Sequence, residues 1–160
     1  MITVGASLPS LTLKKVTETN VDSVDTRSYF SGKTTLLFGL PGAFTPVCSG
    51  QQVPSYLKNK DALHAKGIHQ IACLSVNDSF VMQAWAKDLG TSENIVFLAD
   101  GSAAFTKALG MEMDLDGFGM GVRCKRFAMI VKNGTVDALY VENSAGECGV
   151  SHADQVLAIL

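Results

Sequence analysis

The segment Pro41-Gly42-Ala43-Phe44-Thr45-Pro46-Val47-Cys48 places a single thiol at the predicted start of a helix. Thr45 followed by Pro46 is typical of a helix N-terminus, with Thr at the capping position and Pro at the first helical position. Cys48 then occupies the third helical position, near unpaired backbone N–H groups and the positive end of the helix dipole. These surroundings favour the thiolate, which is the nucleophilic form of cysteine.

A cationic side chain must supply most of the stabilisation of such a thiolate. The helix dipole contributes about 0.3–1 kcal/mol, whereas a guanidinium about 4 Å away contributes up to about 4 kcal/mol at an effective dielectric constant of about 20. The candidates are Arg27, Arg123 and Arg126. Arg126 directly precedes the apolar run 127–130, which we interpret as a strand beside the one that leads to Cys48. It is therefore the best placed of the three.

The other cysteines do not complete a local dithiol with Cys48. A C-x-x-C pair would need a cysteine at position 51, which is Gln51, so the predicted first oxidation product is a sulfenic acid. The spacing of Cys73, Cys124 and Cys148 fits neither a structural zinc site nor the disulfide framework of a small secreted domain. Burial as a small hydrophobic residue is the alternative role for each of these three cysteines.

Alternating strands and helices are predicted to position this segment. Short apolar runs predict strands over residues 34–40, 68–76, 95–98, 127–131 and 135–141. Helices are predicted over 46–66 with a kink or break at Pro54, over 79–89, over 102–109, and from a capping box at Ser151-x-x-Asp154 to the C-terminus. Strands separated by helices pair in parallel, and the Asn133-Gly134 turn adds an antiparallel hairpin. The prediction is an α/β, thioredoxin-like fold: a mixed central sheet flanked by helices, with residues 5–32 as an N-terminal extension that carries a hairpin.

Composition excludes several classes of protein. The length of 160 residues suits a single domain over residues 1–160, and 47% hydrophobic with 18% charged residues excludes disorder. The 13 Lys and Arg residues are outnumbered by 15 Asp and Glu residues, so no basic surface for nucleic acid is expected. No apolar run is long enough to span a membrane. The glycines of residues 117–121 lack dinucleotide-binding spacing and predict a flexible loop. The three histidines lack partners at metal-ligand spacing, and we expect them at the surface.

The segment Pro41-x-x-x-Thr45-x-x-Cys48 resembles the active-site motif of the peroxiredoxins. Its fuller form, extended through Ser49, is similar to the type 5, or type II (atypical), subgroup. Further stretches similar to that subgroup are Ser75-Val76-Asn77-Asp78-Ser79-Phe80-Val81-Met82-x-x-Trp85, Leu98-Ala99-Asp100-Gly101 and Arg123-x-x-Arg126-Phe127-Ala128-Met129. The resemblance covers most of residues 31–141 and implies a thiol peroxidase.

The resemblance also implies a role for each key residue. Cys48 is expected to be the peroxidatic cysteine, which reduces hydrogen peroxide or an alkyl hydroperoxide and becomes a sulfenic acid. Thr45 is expected to place its hydroxyl on the peroxide and the thiolate, Pro41 to shield the pocket from water, and Arg126 to hold the thiolate and polarise the peroxide oxygens. The residue types agree, because attack on an O–O bond needs a thiolate, donors for the departing oxygen and a partly dry pocket. No metal or organic cofactor is required.

The residue that reduces the sulfenic acid is left open by the sequence. Members of the subgroup use a cysteine near the C-terminal loop, a cysteine 25 residues downstream, or only an external thiol. Cys148 lies in a glycine-flanked loop near the C-terminus, and Cys73 lies 25 residues after Cys48 but within a predicted strand. The final reductant is expected to be thioredoxin, glutaredoxin or glutathione. Either internal pairing requires the first turn after Cys48 to unwind, which Gly50 favours.

Two other classes of function fit the sequence less well. A disulfide reductase would need the missing C-x-x-C pair, and a binding module would not need Pro41, Thr45, Cys48 and Arg126 together. We expect a homodimer, because Phe44, Phe118 and Met120 are apolar residues in predicted loops and the subgroup resemblance implies contacts near the active site. No targeting segment is visible, so the cytoplasm is the expected location, with an organelle after removal of a presequence as the alternative.

Overall fold

Apolar runs form the strands at the centre of the molecule. The computed structural model describes all 160 residues. The strands are β1 (Thr12–Val16), β2 (Val21–Asp25), β3 (Thr34–Leu40), β4 (Gln70–Ser75), β5 (Val96–Ala99), β6 (Glu112–Asp114), β7 (Val122–Cys124), β8 (Phe127–Lys132) and β9 (Thr135–Val141). The α-helices are α1 (Thr26–Phe30), α2 (Val53–Lys58), α3 (Lys60–Ala65), α4 (Ser79–Leu89), α5 (Ala104–Ala108) and α6 (Ala153–Ala158). None of the helices is long and apolar enough to cross a membrane.

Seven strands form one mixed sheet in the order β2-β1-β5-β4-β3-β8-β9. Strands β3, β4 and β5 are parallel, as expected for strands joined by helices, and β8 lies antiparallel beside β3. The pairing of Gly39 with Phe127 brings the end of β3 next to the start of β8. The thioredoxin-like fold predicted from the sequence is confirmed. This strand order places the residue before β8 beside the segment that follows β3.

Helices cover both faces of the sheet and bury a core on each. One core packs α2, α3, α4 and α6 against β3 and β4, with Phe38, Tyr56 and Trp85 among its largest side chains. The opposite core packs α1 and α5 against the other face, around residues such as Phe105 and Phe127. Because the central strands are buried on both faces, they read in the sequence as continuous apolar runs.

The helical run that follows β3 is interrupted before and after Pro54, and not at Pro54 as the sequence predicted. Residues Cys48–Gln52 form a π-helical turn, closed by the bond from the Val53 N–H to the Cys48 carbonyl, and α2 begins directly after it. Pro54 therefore lies in the first turn of α2, where its missing N–H is tolerated. The helical run breaks at Asn59, which separates α2 from α3. Such single π-turns are frequent at functional sites.

Three local predictions need correction. The hairpin of the N-terminal extension exists, but β1 also pairs with β5, so the extension is part of the central sheet. Helix α6 is capped by His152, because the Ser151 side chain is bonded elsewhere, to Glu142. Residues 117–121 are not a free loop, since they begin within a 3-10 turn at Asp116–Phe118 and lead into β7, which pairs with β6.

Candidate active site

Cys48 lies at the carboxyl end of β3, in the first turn of the helical run that begins at Pro46. Its side chain is fully buried and contributes to the core beneath α2 and α4. The Ser49 N–H donates to the Thr45 carbonyl, so the chain is already helical around the sulfur. The carboxyl ends of parallel strands are the usual location of ligand sites in α/β sheets.

The Arg126 guanidinium contacts the Cys48 sulfur. Its Nη1 atom lies 3.2 Å from Cys48 Sγ, and the side chain is only 2% exposed. Its Nη2 atom donates to the Ala145 carbonyl at 2.9 Å. The positive charge of Arg126 therefore lies directly beside the sulfur, where water screens it little. Neither of the other candidate arginines contacts this sulfur: Arg27 lies on α1, and Arg123 donates to the carbonyls of Met120 and Pro41.

Gln52 is a site residue that the sequence analysis missed. Its Oε1 atom accepts from Arg126 Nη1 at 2.6 Å, and its Nε2 atom donates to the Gly39 carbonyl at 3.3 Å. Gln52 is fully buried and four residues after Cys48, so both side chains lie on one face of the helical run. That spacing was the available signal. An amide here orients the guanidinium without adding a competing negative charge.

Thr45 and Pro41 lie on the loop between β3 and Cys48. The Thr45 Oγ1 atom donates to the Gly42 carbonyl at 2.7 Å, so it does not cap the helix as predicted. The lone pairs of this hydroxyl remain available to accept a hydrogen bond from a molecule in the pocket. The Pro41 carbonyl accepts from Arg123 Nη1 at 3.3 Å, and the Ala43 N–H donates to Asn77 Oδ1 at 3.0 Å. The loop is therefore fixed by side chains that follow β4 and belong to β7.

A cavity of about 310 Å³ opens onto this cluster. Thr45 and Arg126 are the polar side chains in its lining, and Pro41 lies in the same lining. Its other walls are largely apolar and include Leu115, Phe118, Met120, Ala145 and Gly146. A buried sulfur, a guanidinium donor and an apolar pocket together can present a small electrophile to a thiolate and stabilise the oxygen that departs.

The remaining cysteines differ in accessibility. Cys73 is fully buried in β4, and burial raises the pKa of its thiol well above the ordinary range. Cys124 is fully buried in β7, and burial also raises the pKa of its thiol. Cys148 is partly exposed between β9 and α6; burial raises its pKa, and the nearby Arg126 charge opposes that shift. All four cysteines are free thiols.

Comparisons with known proteins agree with this geometry. The family described as Redoxin matches residues 3–157. Peroxiredoxin-2D of Arabidopsis thaliana is 43% identical over 160 residues, covering 99% of this chain and 98% of its own length. The crystal structure of reduced Prx3 in complex with H2O2 from Vibrio vulnificus is 46% identical, with a TM-score of 0.92 and 100% of both chains covered. Peroxiredoxin 5 from Alvinella pompejana is 30% identical, with a TM-score of 0.85, 99% of this chain and 97% of its own covered. The chain belongs to the redoxin family and is a peroxiredoxin of the type 5/type II kind, a thiol-dependent peroxidase.

Proposed function

We propose that Cys48 is the peroxidatic cysteine of this peroxidase and that Thr45, Arg126 and Pro41 form the pocket that activates the peroxide. The observation that carries the proposal is the contact between Arg126 Nη1 and Cys48 Sγ at 3.2 Å. The substrate is hydrogen peroxide or an alkyl hydroperoxide. The Vibrio relative, which is described as a complex with H2O2, supports the first of these.

The proposed reaction transfers one oxygen to the sulfur. The Cys48 thiolate attacks one peroxide oxygen, an S–O bond forms, and the O–O bond breaks with both electrons on the departing oxygen. That oxygen takes a proton and leaves as water or an alcohol, while Cys48 becomes a sulfenic acid. Arg126 stabilises the charge on the departing oxygen, Thr45 accepts a hydrogen bond from the peroxide O–H, and Pro41 keeps water away.

The direct test uses the reduced protein and one equivalent of peroxide. We expect rapid consumption, with dimedone trapping a sulfenic acid at Cys48 and no consumption by Cys48→Ser. Cys73→Ser serves as the matched control, because it removes a buried thiol outside the pocket. Consumption no faster than that of free cysteine, or label on another cysteine, would contradict the proposal.

For the second half of the cycle, we propose that Cys148 resolves the sulfenic acid. Its thiol attacks the Cys48 sulfur, an S–S bond forms and water leaves. Cys148 is partly exposed on a loop, whereas Cys73 is fully buried in a central strand. Disulfide mapping of Cys73→Ser and Cys148→Ser after one equivalent of peroxide separates these two partners. A free sulfenic acid in both variants and in the parent would instead assign the step to an external thiol.

The proposed reductant of the oxidised enzyme is thioredoxin, with glutaredoxin and glutathione as alternatives. An internal disulfide is a substrate for a dithiol, which attacks one sulfur and then resolves the mixed disulfide with its second thiol. Coupled assays with each reductant test this choice, and turnover with glutathione alone at the rate seen with thioredoxin would overturn it. We propose the cytoplasm as the location, since these thiol reductants keep that compartment reducing.

We also propose that the protein is a homodimer with contacts near the pocket. Phe44 and Phe118 are 54% and 81% exposed, and Phe118 lines the cavity. Exposed aromatic side chains of this kind favour a protein interface. Sedimentation at tens of micromolar is expected to show a dimer and Phe118→Glu a monomer. A monomeric parent protein would contradict the proposal.

A further inference from the structure

The segment between β9 and α6 is held at its base by one carboxylate. Glu142 directly follows β9, and its N–H donates to the Arg126 carbonyl at 2.9 Å. Its Oε1 atom accepts from the Gly149 N–H at 2.6 Å, and from both the N–H and the Oγ of Ser151 at 2.8 Å. We call residues 143–150 the pocket loop. The hydrogen bonds to Glu142 tie the two ends of this loop together.

The tip of the pocket loop belongs to the active site. The Ala145 carbonyl accepts from Arg126 Nη2 at 2.9 Å, and Ala145 and Gly146 line the cavity together with Leu115 and Phe118. Arg126 thus touches the loop with one nitrogen and the Cys48 sulfur with the other. A displacement of the loop would take away the wall that Ala145 and Gly146 form and leave Arg126 without one of its acceptors.

We propose that Glu142 is a positioning residue that sets the width of the peroxide pocket, given the roles proposed above for Cys48 and Arg126. Hydrogen peroxide is small enough to contact only Thr45 and Arg126, the polar side chains of the cavity lining. A bulky organic hydroperoxide extends further, to the wall that Ala145 and Gly146 form. The Glu142 carboxylate therefore affects the rate constant for large peroxides more than that for small ones, although it does not line the cavity itself.

The far end of the loop is also held independently of Glu142. The Tyr56 hydroxyl donates to the Ser151 carbonyl at 2.5 Å, and Ser55 Oγ accepts from the Ala153 N–H at 3.1 Å. These contacts attach α6 to α2 whatever residue stands at position 142. Loss of the carboxylate is thus expected to loosen the pocket loop and leave the rest of the fold in place.

The test compares Glu142→Ala and Glu142→Gln with the parent protein. Bimolecular rate constants for the reduced protein are measured with hydrogen peroxide and with cumene hydroperoxide, and hydrogen exchange is measured over residues 143–152. We expect Glu142→Ala to lower the rate constant for cumene hydroperoxide about tenfold more than that for hydrogen peroxide. The substitution removes the hydrogen bonds that Gly149 and Ser151 donate to the carboxylate, and the loss of bonds of ordinary strength is enough to produce a change of this size. Exchange at Gly149 and Ser151 should rise. Glu142→Gln keeps an oxygen acceptor, so the ratio of the two rate constants should stay close to that of the parent protein.

Glu147→Gln is the matched control, since it removes an exposed carboxylate from the same loop. It should change neither the ratio of the two rate constants nor the exchange. An unchanged ratio in Glu142→Ala, or an equal fall with both peroxides, would overturn the proposal, since a merely structural role lowers both alike. Failure of the Cys48 assignment would show differently, as a parent protein that reacts with neither peroxide faster than free cysteine does, and the exchange data would still test the loop.

Discussion

One nitrogen of Arg126 joins Cys48 to Gln52. Its Nη1 atom lies 3.2 Å from the Cys48 sulfur and 2.6 Å from the Gln52 oxygen, and all three side chains are buried. The guanidinium therefore has a fixed orientation before any peroxide arrives. Preorganised donors of this kind act without reorganisation at the moment of reaction.

Arg126→Gln is expected to slow peroxide reduction strongly. The substitution removes the cation beside the sulfur, which is also the proposed donor for the departing oxygen. By analogy with the loss of one oxyanion donor, the rate constant should fall about 10²–10³-fold, as measured by stopped-flow oxidation of the reduced protein. Arg27→Gln is the control, since Arg27 lies on α1 away from the pocket. Equal rates for Arg126→Gln and the parent protein would remove the arginine from the reaction.

Gln52→Leu is expected to act through Arg126. It leaves the guanidinium without its closest acceptor and removes the hydrogen bond that the amide donates to the Gly39 carbonyl. We expect a loss of about 1–3 kcal/mol of stability and a fall of about tenfold in the rate constant. Gln51→Leu is the matched control, because Gln51 is the exposed neighbour. A rate unchanged in Gln52→Leu would show that Arg126 holds its position without the amide.

Much of the fold followed from local signals. The bounds of β3, α4 and β9 match the sequence prediction, because each element has a clear apolar pattern and strong ends. Asp78 caps α4 through the Val81 N–H, and Gly90 closes it in the left-handed conformation. The addition of β1 to the sheet beside β5 was not predicted, since this pairing depends on long-range contacts that a half-exposed strand does not reveal.

The candidate site, like the fold, was predicted only in part from the sequence. The sheet order inferred from the βα alternation indicated that Arg126 would lie near Cys48. Gln52 was missed, because the four-residue spacing indicates only that its side chain shares a helix face with Cys48. It does not indicate that Arg126 lies against that face. The Ala145 acceptor was missed because it is a backbone carbonyl, whose position depends on the whole pocket loop. The residue type at position 145 carries no signal for it.

Gly39→Ala is expected to disturb the site from inside the sheet. A Cβ atom at Gly39 would lie 2.1 Å from Phe127 Cε1 and 2.6 Å from Cδ1, so the buried ring must move. Overpacking of this kind costs about 1–3 kcal/mol, and the shift passes to Arg126, the preceding residue. Chemical denaturation and the peroxide rate constant measure the two effects. Gly117→Ala, whose Cβ would meet nothing within 4 Å, should leave stability within about 0.5 kcal/mol of the parent.

Formation of the proposed disulfide between Cys48 and Cys148 should accelerate as the pH rises. Burial raises the pKa of Cys148, so at neutral pH this thiol is protonated in the folded protein. Attack on the sulfenic acid requires the thiolate, whose fraction grows about tenfold per pH unit below the pKa. Acid-quenched mass spectrometry between pH 6.5 and 8.5 should show this slope. A rate independent of pH would argue against Cys148 as the attacking group.

Gly50→Ala is expected to stabilise the reduced enzyme and impair its recycling. Gly50 lies in the π-turn after Cys48, and a Cβ there would meet nothing within 4 Å. Replacement of Gly by Ala at a compatible position stabilises by about 0.4–1 kcal/mol, so the turn should unwind less often. Since Cys48 must leave its buried position to reach Cys148, disulfide formation should slow while the first reaction with peroxide does not. The longer-lived sulfenic acid should then be oxidised further to sulfinic acid, which mass spectrometry detects. Disulfide formation at the parent rate in a measurably more stable Gly50→Ala protein would show that unwinding of this turn does not limit the step.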